Sequence, residues 1–226
     1  NLKEVRRACD RARELIQQIL SFSRHTESEM KPIHLSPIVK ESLKLLRPSI
    51  STGIEIRPHI SARKDTIRAD ATQIHQVLIN LCTNAAHAME EGGGILEIAL
   101  TDRILDGPAG SSYREVEPGP HVELSVRDTG SGMTPETLER IFDPYFTTKD
   151  VGKGTGMGLA VVHGIVKSHG GAVSVSTVPG EGTAFHILFP VVRQEQKPEP
   201  PEVHRGEALP RGHETILFVD DEPAMV

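Results

Sequence analysis

Asn80 and Asn84 stand four residues apart in "VLINLCTNAAHA", a stretch with the apolar spacing of a helix, so both amides project from one face, one turn apart. Asparagine inside a helix is mildly unfavourable because its side chain competes for backbone hydrogen bonds, so two of them among leucines and isoleucine call for a reason. Amide oxygens suit Mg²⁺, which takes few protein ligands and keeps waters or substrate phosphates. Taken alone, two amides capping neighbouring loops are the simpler reading.

Further on, "DTGSGM" sets Asp128 at the end of a strand-like run, with Gly130 and Gly132 directly after it. A carboxylate there can accept from an exocyclic amine while the glycines let backbone approach a flat ring. The same pattern is also an ordinary turn. "IFDPYFTTKD" then brings Phe142, Tyr145 and Phe146 beside Lys149 in a segment without a core pattern. Aromatics can anchor a loop, and a lysine can meet phosphate as a point charge. A small satellite cluster under a long loop would look the same.

The last such stretch, "GKGTGMGL", packs four glycines into residues 152–158 and runs into an apolar helical pattern. Glycine at that density brings backbone close to something, phosphate being the usual partner. A phosphate-binding P-loop would need Ser or Thr after the lysine, but Lys153 precedes Gly154. A dinucleotide fingerprint would need a third glycine where Met157 or Leu159 stands. The run belongs to neither pattern.

These residues need a scaffold, and the periodicities supply one. Ser36 reads as an N-cap, with Pro37 at the first helical position of a helix through about Leu46. "GIEIRPHI" alternates like a strand, and Pro58 marks it as an edge. Asp70 caps the long helix carrying the two asparagines, which runs to Gly92–Gly94. "ILEIALT" and "HVELSVRD" are strands separated by a surface loop over residues 106–120. A short helix is expected near Pro135–Ile141 and another over "LAVVHGIVKSH". A closing hairpin joins "AVSVSTV" to "TAFHILFPV" across "PGEG". The fold class expected is α+β, a two-layer α/β sandwich with helices on one face of a mixed sheet.

Outside that region, residues 1–30 carry an apolar seam spaced by threes and fours through Leu2, Val5, Cys9, Ala12, Ile16 and Ile19. That is a bundle helix needing a cover, either a second copy of the chain or a missing partner helix. Residues 193–213 are charged, proline-containing and aperiodic, a linker. Residues 214–226 begin a new strand ending at Asp220 and Asp221. A net charge of −6 argues against a dedicated nucleic-acid binder. Cys9 and Cys82, the two cysteines, have no metal-like spacing and read as free thiols of a reducing compartment. The apolar runs are too short to span a bilayer. The chain opens inside a helical pattern, so it reads as an excised fragment whose parent has a membrane association only if a span lies upstream.

Taken in order, N-x-x-x-N on a helix, D-x-G-x-G after a strand, F-x-P-x-F-T-T-K and G-x-G-x-G-L entering a helix resemble the histidine-kinase branch of the Bergerat-fold ATPases. The stretches that match are "QIHQVLINLCTNAAHAM", "VRDTGSGM", "IFDPYFTTK", "GKGTGMGLAVVHGIVKSHGG" and "GEGTAFHILFP". The resemblance implies ATP and Mg²⁺ as cofactors. Asn84, with Asn80 beside it, would hold Mg²⁺ on the phosphates, and both would be the catalytic residues. Asp128 would bond the adenine amino group, with Thr183 assisting. Gly130, Gly132, Gly154, Gly156 and Gly158 would line the nucleotide. Residues 133–157 would form the ATP lid, bringing Met133, Phe142, Phe146, Thr148, Lys149, Lys153, Thr155 and Met157 toward it, with Leu159 just beyond. Lys149 and Lys153 are candidate phosphate contacts. For His87, a phosphate contact and a helix-surface residue near the site stay equally open.

By the same resemblance, residues 1–30 are the second helix of a dimerising phosphotransfer hairpin, 31–192 the catalytic ATP-binding domain, and 214–226 the start of a receiver domain. The implied reaction moves the ATP γ-phosphoryl to a histidine and onward to a receiver aspartate, in cis or on a separate response regulator. The acceptor histidine would stand on the hairpin's first helix, upstream of Asn1, and His25 lies outside such a motif. The expectation is a cytoplasmic protein-histidine kinase portion that binds ATP·Mg²⁺, dimerises through its N-terminal helix and does not phosphorylate itself. The competing readings are another ATPase or a serine kinase of the same fold, or a degenerate nucleotide-binding module. ATP-hydrolysing members generally carry a glutamate base where Asn80 stands.

Overall fold

The structure is a computed structural model that describes residues 30–105, 116–149 and 155–192. The seam helix over residues 1–30, the linker, the receiver start, Lys153 and Gly154 therefore lie outside the described residues, apart from Met30.

Five strands form one sheet in the order β2-β4-β5-β7-β6. They are β2 (Ile54–Ile60), β4 (Gly94–Leu105), β5 (Gly119–Asp128), β6 (Ala172–Val178) and β7 (Gly182–Pro190). Strands β4, β5, β7 and β6 pair antiparallel. β2 lies parallel to β4 at the edge, so Pro58 costs the sheet no ladder bond on its open side. Parallel pairing needs a crossover, and β3 (Thr66–Ala69) with the long helix α2 (Ala71–Ala88) supplies it. α2, α1 (Leu35–Leu46) and α4 (Gly158–Ser168) pack on one face, and α3 (Pro135–Leu138) is a single turn near the site.

Alternation in the strands decides that face. Leu96, Ile98 and Leu100 of β4, Val122, Leu124 and Val126 of β5, and Ile187 and Phe189 of β7 point inward and are buried. Against them α2 sets Ile74, Val77, Leu78, Leu81 and Ala85, spaced by threes and fours, with Cys82 among them. Burial pushes the Cys82 thiol up to about 12, so it stays protonated and is one more apolar filler. The two-layer sandwich expected from the periodicities is what forms. Among the described residues no helix is long and apolar enough to cross a membrane.

Two local expectations need correction. Ser36 is not the cap of α1: the helix begins at Leu35, with His34 in the cap position and no side-chain cap from it. Asp65 does that work from thirty residues away, its carboxylate accepting from the Ser36 amide at 2.8 Å and its carbonyl from the Leu35 amide at 3.1 Å. Burial pushes the Asp65 carboxyl up, but the Ser36 and His34 donors outweigh that and hold it below the ordinary aspartate range. The second correction is a two-stranded sheet, β1 (Lys31–His34) antiparallel to β3, where the periodicities named no element. Each strand has four residues, too few for alternation to show.

Candidate nucleotide site

Asp70 starts α2, accepting from the Thr72 amide at 2.8 Å, and from there the helical period brings Asn80, Asn84 and His87 to one side. The first residue of α4 lies against that side. A methyl group built on Gly158 would stand 3.7 Å from Asn80 Oδ1 and 3.9 Å from Asn84 Nδ2. No side chain caps α4, so the uncapped amides and positive dipole end of its first turn lie beside the asparagine pair.

Lys149 reaches the same spot from the segment between α3 and α4. Its ammonium donates to His87 Nδ1 at 2.8 Å and to Asn84 Oδ1 at 3.4 Å. Because the ammonium has no lone pair, His87 takes part as the neutral ring protonated on Nε2. Burial, and then the Lys149 charge, lower the His87 pKa, with Glu90 working the other way. Burial likewise lowers that of Lys149. Asn84 Oδ1 already faces a cation here, so an oxygen acceptor is aimed where a positive charge fits.

The second half of the site sits where β5 ends. Asp128 is 4% exposed, and its Oδ1 accepts from the Gly130 amide at 2.8 Å. Burial raises its pKa, while the Gly130 and Thr183 amides pull in the opposite direction. Thr183 pairs with Asp128 across β5 and β7 and is buried too. The Ser131 amide donates to the Ala88 carbonyl at 3.1 Å. This bond ties the Asp128 turn to the last turn of α2, just beyond Asn84 and His87, and joins the two halves.

The glycines answer to the protein itself. A methyl group on Gly130 would lie 2.6 Å from the Ala88 carbonyl oxygen. Gly132 has φ +64, and a methyl group there would overlap the Val178 carbonyl. The close approach these two permit is to α2 and to the β6–β7 turn. Gly156, with φ +67, is pressed onto the Tyr145 backbone, whose amide donates to the Gly156 carbonyl at 3.0 Å.

The remaining expected residues divide by role. Phe142 rests 5.1 Å from the His163 ring of α4 and so anchors the segment to the body, while the Arg140 guanidinium stands 4.4 Å over the Phe146 ring within the segment. Thr155 Oγ1 accepts from the Met157 amide at 3.4 Å, Met157 occupies the cap position of α4 without capping it, and Leu159 packs against the core. Thr148 is exposed. Met133 is held by its amide, which donates to Thr177 Oγ1 at 2.9 Å. Sequence reasoning passed over Thr177, because a threonine in an alternating strand gives no signal of its own. A concavity of about 690 Å³ opens mainly on the other sheet face among Arg57, His59, Glu97, Arg127, Ser176 and His186. Asn80 and Asn84 are not in it.

The helix bearing paired asparagines, the buried carboxylate at a strand end and the uncapped helix beside them define a class. Residues 69–193 match the family described as histidine kinase-, DNA gyrase B-, and HSP90-like ATPase, and the chain belongs to it. Within that family the kinship runs to the kinases. The chain is 34% identical over 233 residues to the sensor kinase CckA of Brucella abortus, covering all of this chain and 24% of that protein. The structure of full-length ShkA in complex with AMPPNP is 30% identical with a TM-score of 0.60, covering 79% of this chain and 35% of that one. The histidine kinase ThkA in complex with the response regulator TrrA is 25% identical with a TM-score of 0.62, over 84% and 50%. The described domain is thus a catalytic ATP-binding domain of the sensor histidine kinase type, in a chain that spans about a quarter of its first curated relative.

Proposed function

We propose that this domain holds ATP·Mg²⁺ between Asp128 and Asn84 and donates its γ-phosphoryl group to a histidine in two-component signalling. The observation that carries the reading is the pairing of two acceptor groups of different kinds, joined through the Ser131–Ala88 bond. The buried Asp128 carboxylate suits the adenine amino group, with Thr183 beside it. Asn84 Oδ1, aimed at a cation, suits the metal, with Asn80 one turn before it.

Mg²⁺ would supply neutralisation of phosphate charge. The rest falls to the chain's own residues: Lys149 turns from Asn84 and His87 onto phosphate oxygens, and the first amides of α4 meet the anion. Transfer breaks the bond between the γ-phosphorus and its bridging oxygen, forms one to a histidine nitrogen and releases ADP. Positioning and electrostatics carry such a step, so the domain needs no covalent group of its own.

The acceptor in this reading is a histidine outside these 226 residues, which leave their own histidines unphosphorylated. Two copies meet through the apolar seam over residues 1–30, and the phosphoryl group passes to a receiver aspartate, in cis beyond residue 214 or on a separate regulator. The catalytic portion works in the cytoplasm, where ATP is. The test is calorimetric titration of ADP·Mg²⁺ into the wild type and Asp128→Asn. Saturable one-site binding that the variant loses supports the reading, and a wild type that takes up no heat sinks it. Joining the upstream hairpin should bring acid-labile phosphate onto that hairpin, whereas label on His25 would count against the assignment.

A further inference from the structure

Three strands meet in one row at the inner end of the sheet. Asp128 of β5 is opposite Thr183 of β7, which is opposite Thr177 of β6. Partners directly opposite in antiparallel strands share a face, so all three side chains turn to the helix side.

Thr177 Oγ1 has three neighbours there. The Met133 amide donates to it at 2.9 Å, the Gly182 carbonyl lies at 3.1 Å, and Thr183 Oγ1 lies at 3.0 Å. A hydroxyl has one proton and two lone pairs. The amide can only donate and the carbonyl can only accept, so Thr177 satisfies all three by giving its proton to Gly182 and taking one from Thr183. The Thr183 proton is then committed inward, and its oxygen has only lone pairs left for the site. The neighbouring Asp128 carboxylate is an acceptor as well.

We propose that Thr177 is a positioning residue for base selection: by taking the Thr183 proton, it makes the Asp128–Thr183 edge a row of acceptors. That edge welcomes an exocyclic amine and refuses a carbonyl, without Thr177 touching the nucleotide. The proposal rests on the nucleotide reading above. The Met133 bond gives Thr177 a second effect, since it holds the start of the lid to the same hydroxyl.

The experiment compares ADP with inosine diphosphate, which carries a carbonyl where adenine has its amine, both with Mg²⁺. The wild type should prefer ADP by tenfold or more. Thr177→Val keeps the shape but frees the Thr183 hydroxyl to turn and donate, so the preference should fall about tenfold. Thr177→Ser restores the proton count and should keep the wild-type ratio. Thermal unfolding checks each variant, and Thr177→Ala carries the same expectation if valine packs badly. A purely structural role would weaken both nucleotides alike. An unchanged ratio in Thr177→Val, or a serine variant that behaves like valine, overturns the proposal. A wild type that binds neither nucleotide overturns the nucleotide reading instead.

Discussion

The two halves of the site are built from opposite materials. At the Asp128 end, three strands fix the side chains through continuous ladders, and the carboxylate, Thr183 and the glycines are locked by backbone contacts. At the Lys149 end, residues 141–149 contain no helix or strand, and Tyr145 is 76% exposed with a positive φ. Beyond Ile141, buried in the core at its start, and Phe142 packed beside it, that end is held by the Tyr145–Gly156 bond, the ring contacts and the Lys149 ammonium. Stability is local, and a segment with so few buried contacts opens at a fraction of the global cost. One end is a template and the other a latch. On the proposed reading a kinase uses both, because the base would be read in a fixed pocket while the phosphates would be reached and released.

The contrast can be broken in several places. The largest effect should come from Asn84→Ala, which removes the amide oxygen that already accepts from the Lys149 ammonium. Phosphoryl transfer by the hairpin-bearing kinase should drop by about 10²–10³-fold, and ADP affinity should lose its dependence on Mg²⁺. Radiolabel transfer and calorimetry with and without chelator would show it. Asp128→Asn should cost about 10–100-fold in ADP affinity, the range for a hydrogen bond to a charged group. For the wild type, the sign of the pH effect follows from the raised Asp128 pKa. As pH falls through it, the carboxylate gains a proton and loses an acceptor, so ADP binding should weaken at a higher pH than an ordinary aspartate would dictate.

Two glycines separate template from latch most directly. Gly132→Ala and Gly156→Ala both force a side chain into positive φ against backbone. In the template the strain cannot be relieved, and the melting temperature should fall with a loss of about 1–3 kcal/mol. In the latch the chain can simply detach, so global melting should hardly move while amide exchange around Tyr145 speeds up. Equal melting losses would erase the distinction.

The smallest effect concerns the latch itself. His87 has a lowered folded-state pKa, so its contribution is present above its ordinary value and is lost as pH falls through the histidine range. Protonation then removes the Nδ1 acceptor and repels Lys149. Proteolysis at residues 141–149 should rise on acidification in the wild type and be less pH-dependent in Lys149→Ala. That variant should bind ATP only about 3–10-fold more weakly. A pH response unchanged in Lys149→Ala would assign it to another group.

Much of this was legible from the sequence because the informative signals were local. Asp70 caps the helix it precedes, the three–four spacing of Ile74 to Ala85 chooses the helix face, and the alternation in β5 puts Asp128 in line with the core. A helical turn also suffices to set Asn80 beside Asn84. The misses are all long-range. Ser36 looked like a cap because its type and neighbours fit, but Asp65 reaches the same amide from another strand. For Gly130 and Gly132 the sequence showed only room for close approach, and the structure adds that they approach Ala88 and Val178.

The sequence by itself determined which residue types are available, their order, and the periods that fold them into a helix-covered sheet, since propensity and patterning act over a few residues at a time. Only the tertiary structure decided that Lys149 meets His87 and Asn84, that the Asp128 turn is tied to α2, and that Thr177 completes a row with Thr183. Those contacts join side chains from separate elements, and their direction depends on strand register and on where single protons go. Neither is written in any one stretch of the chain.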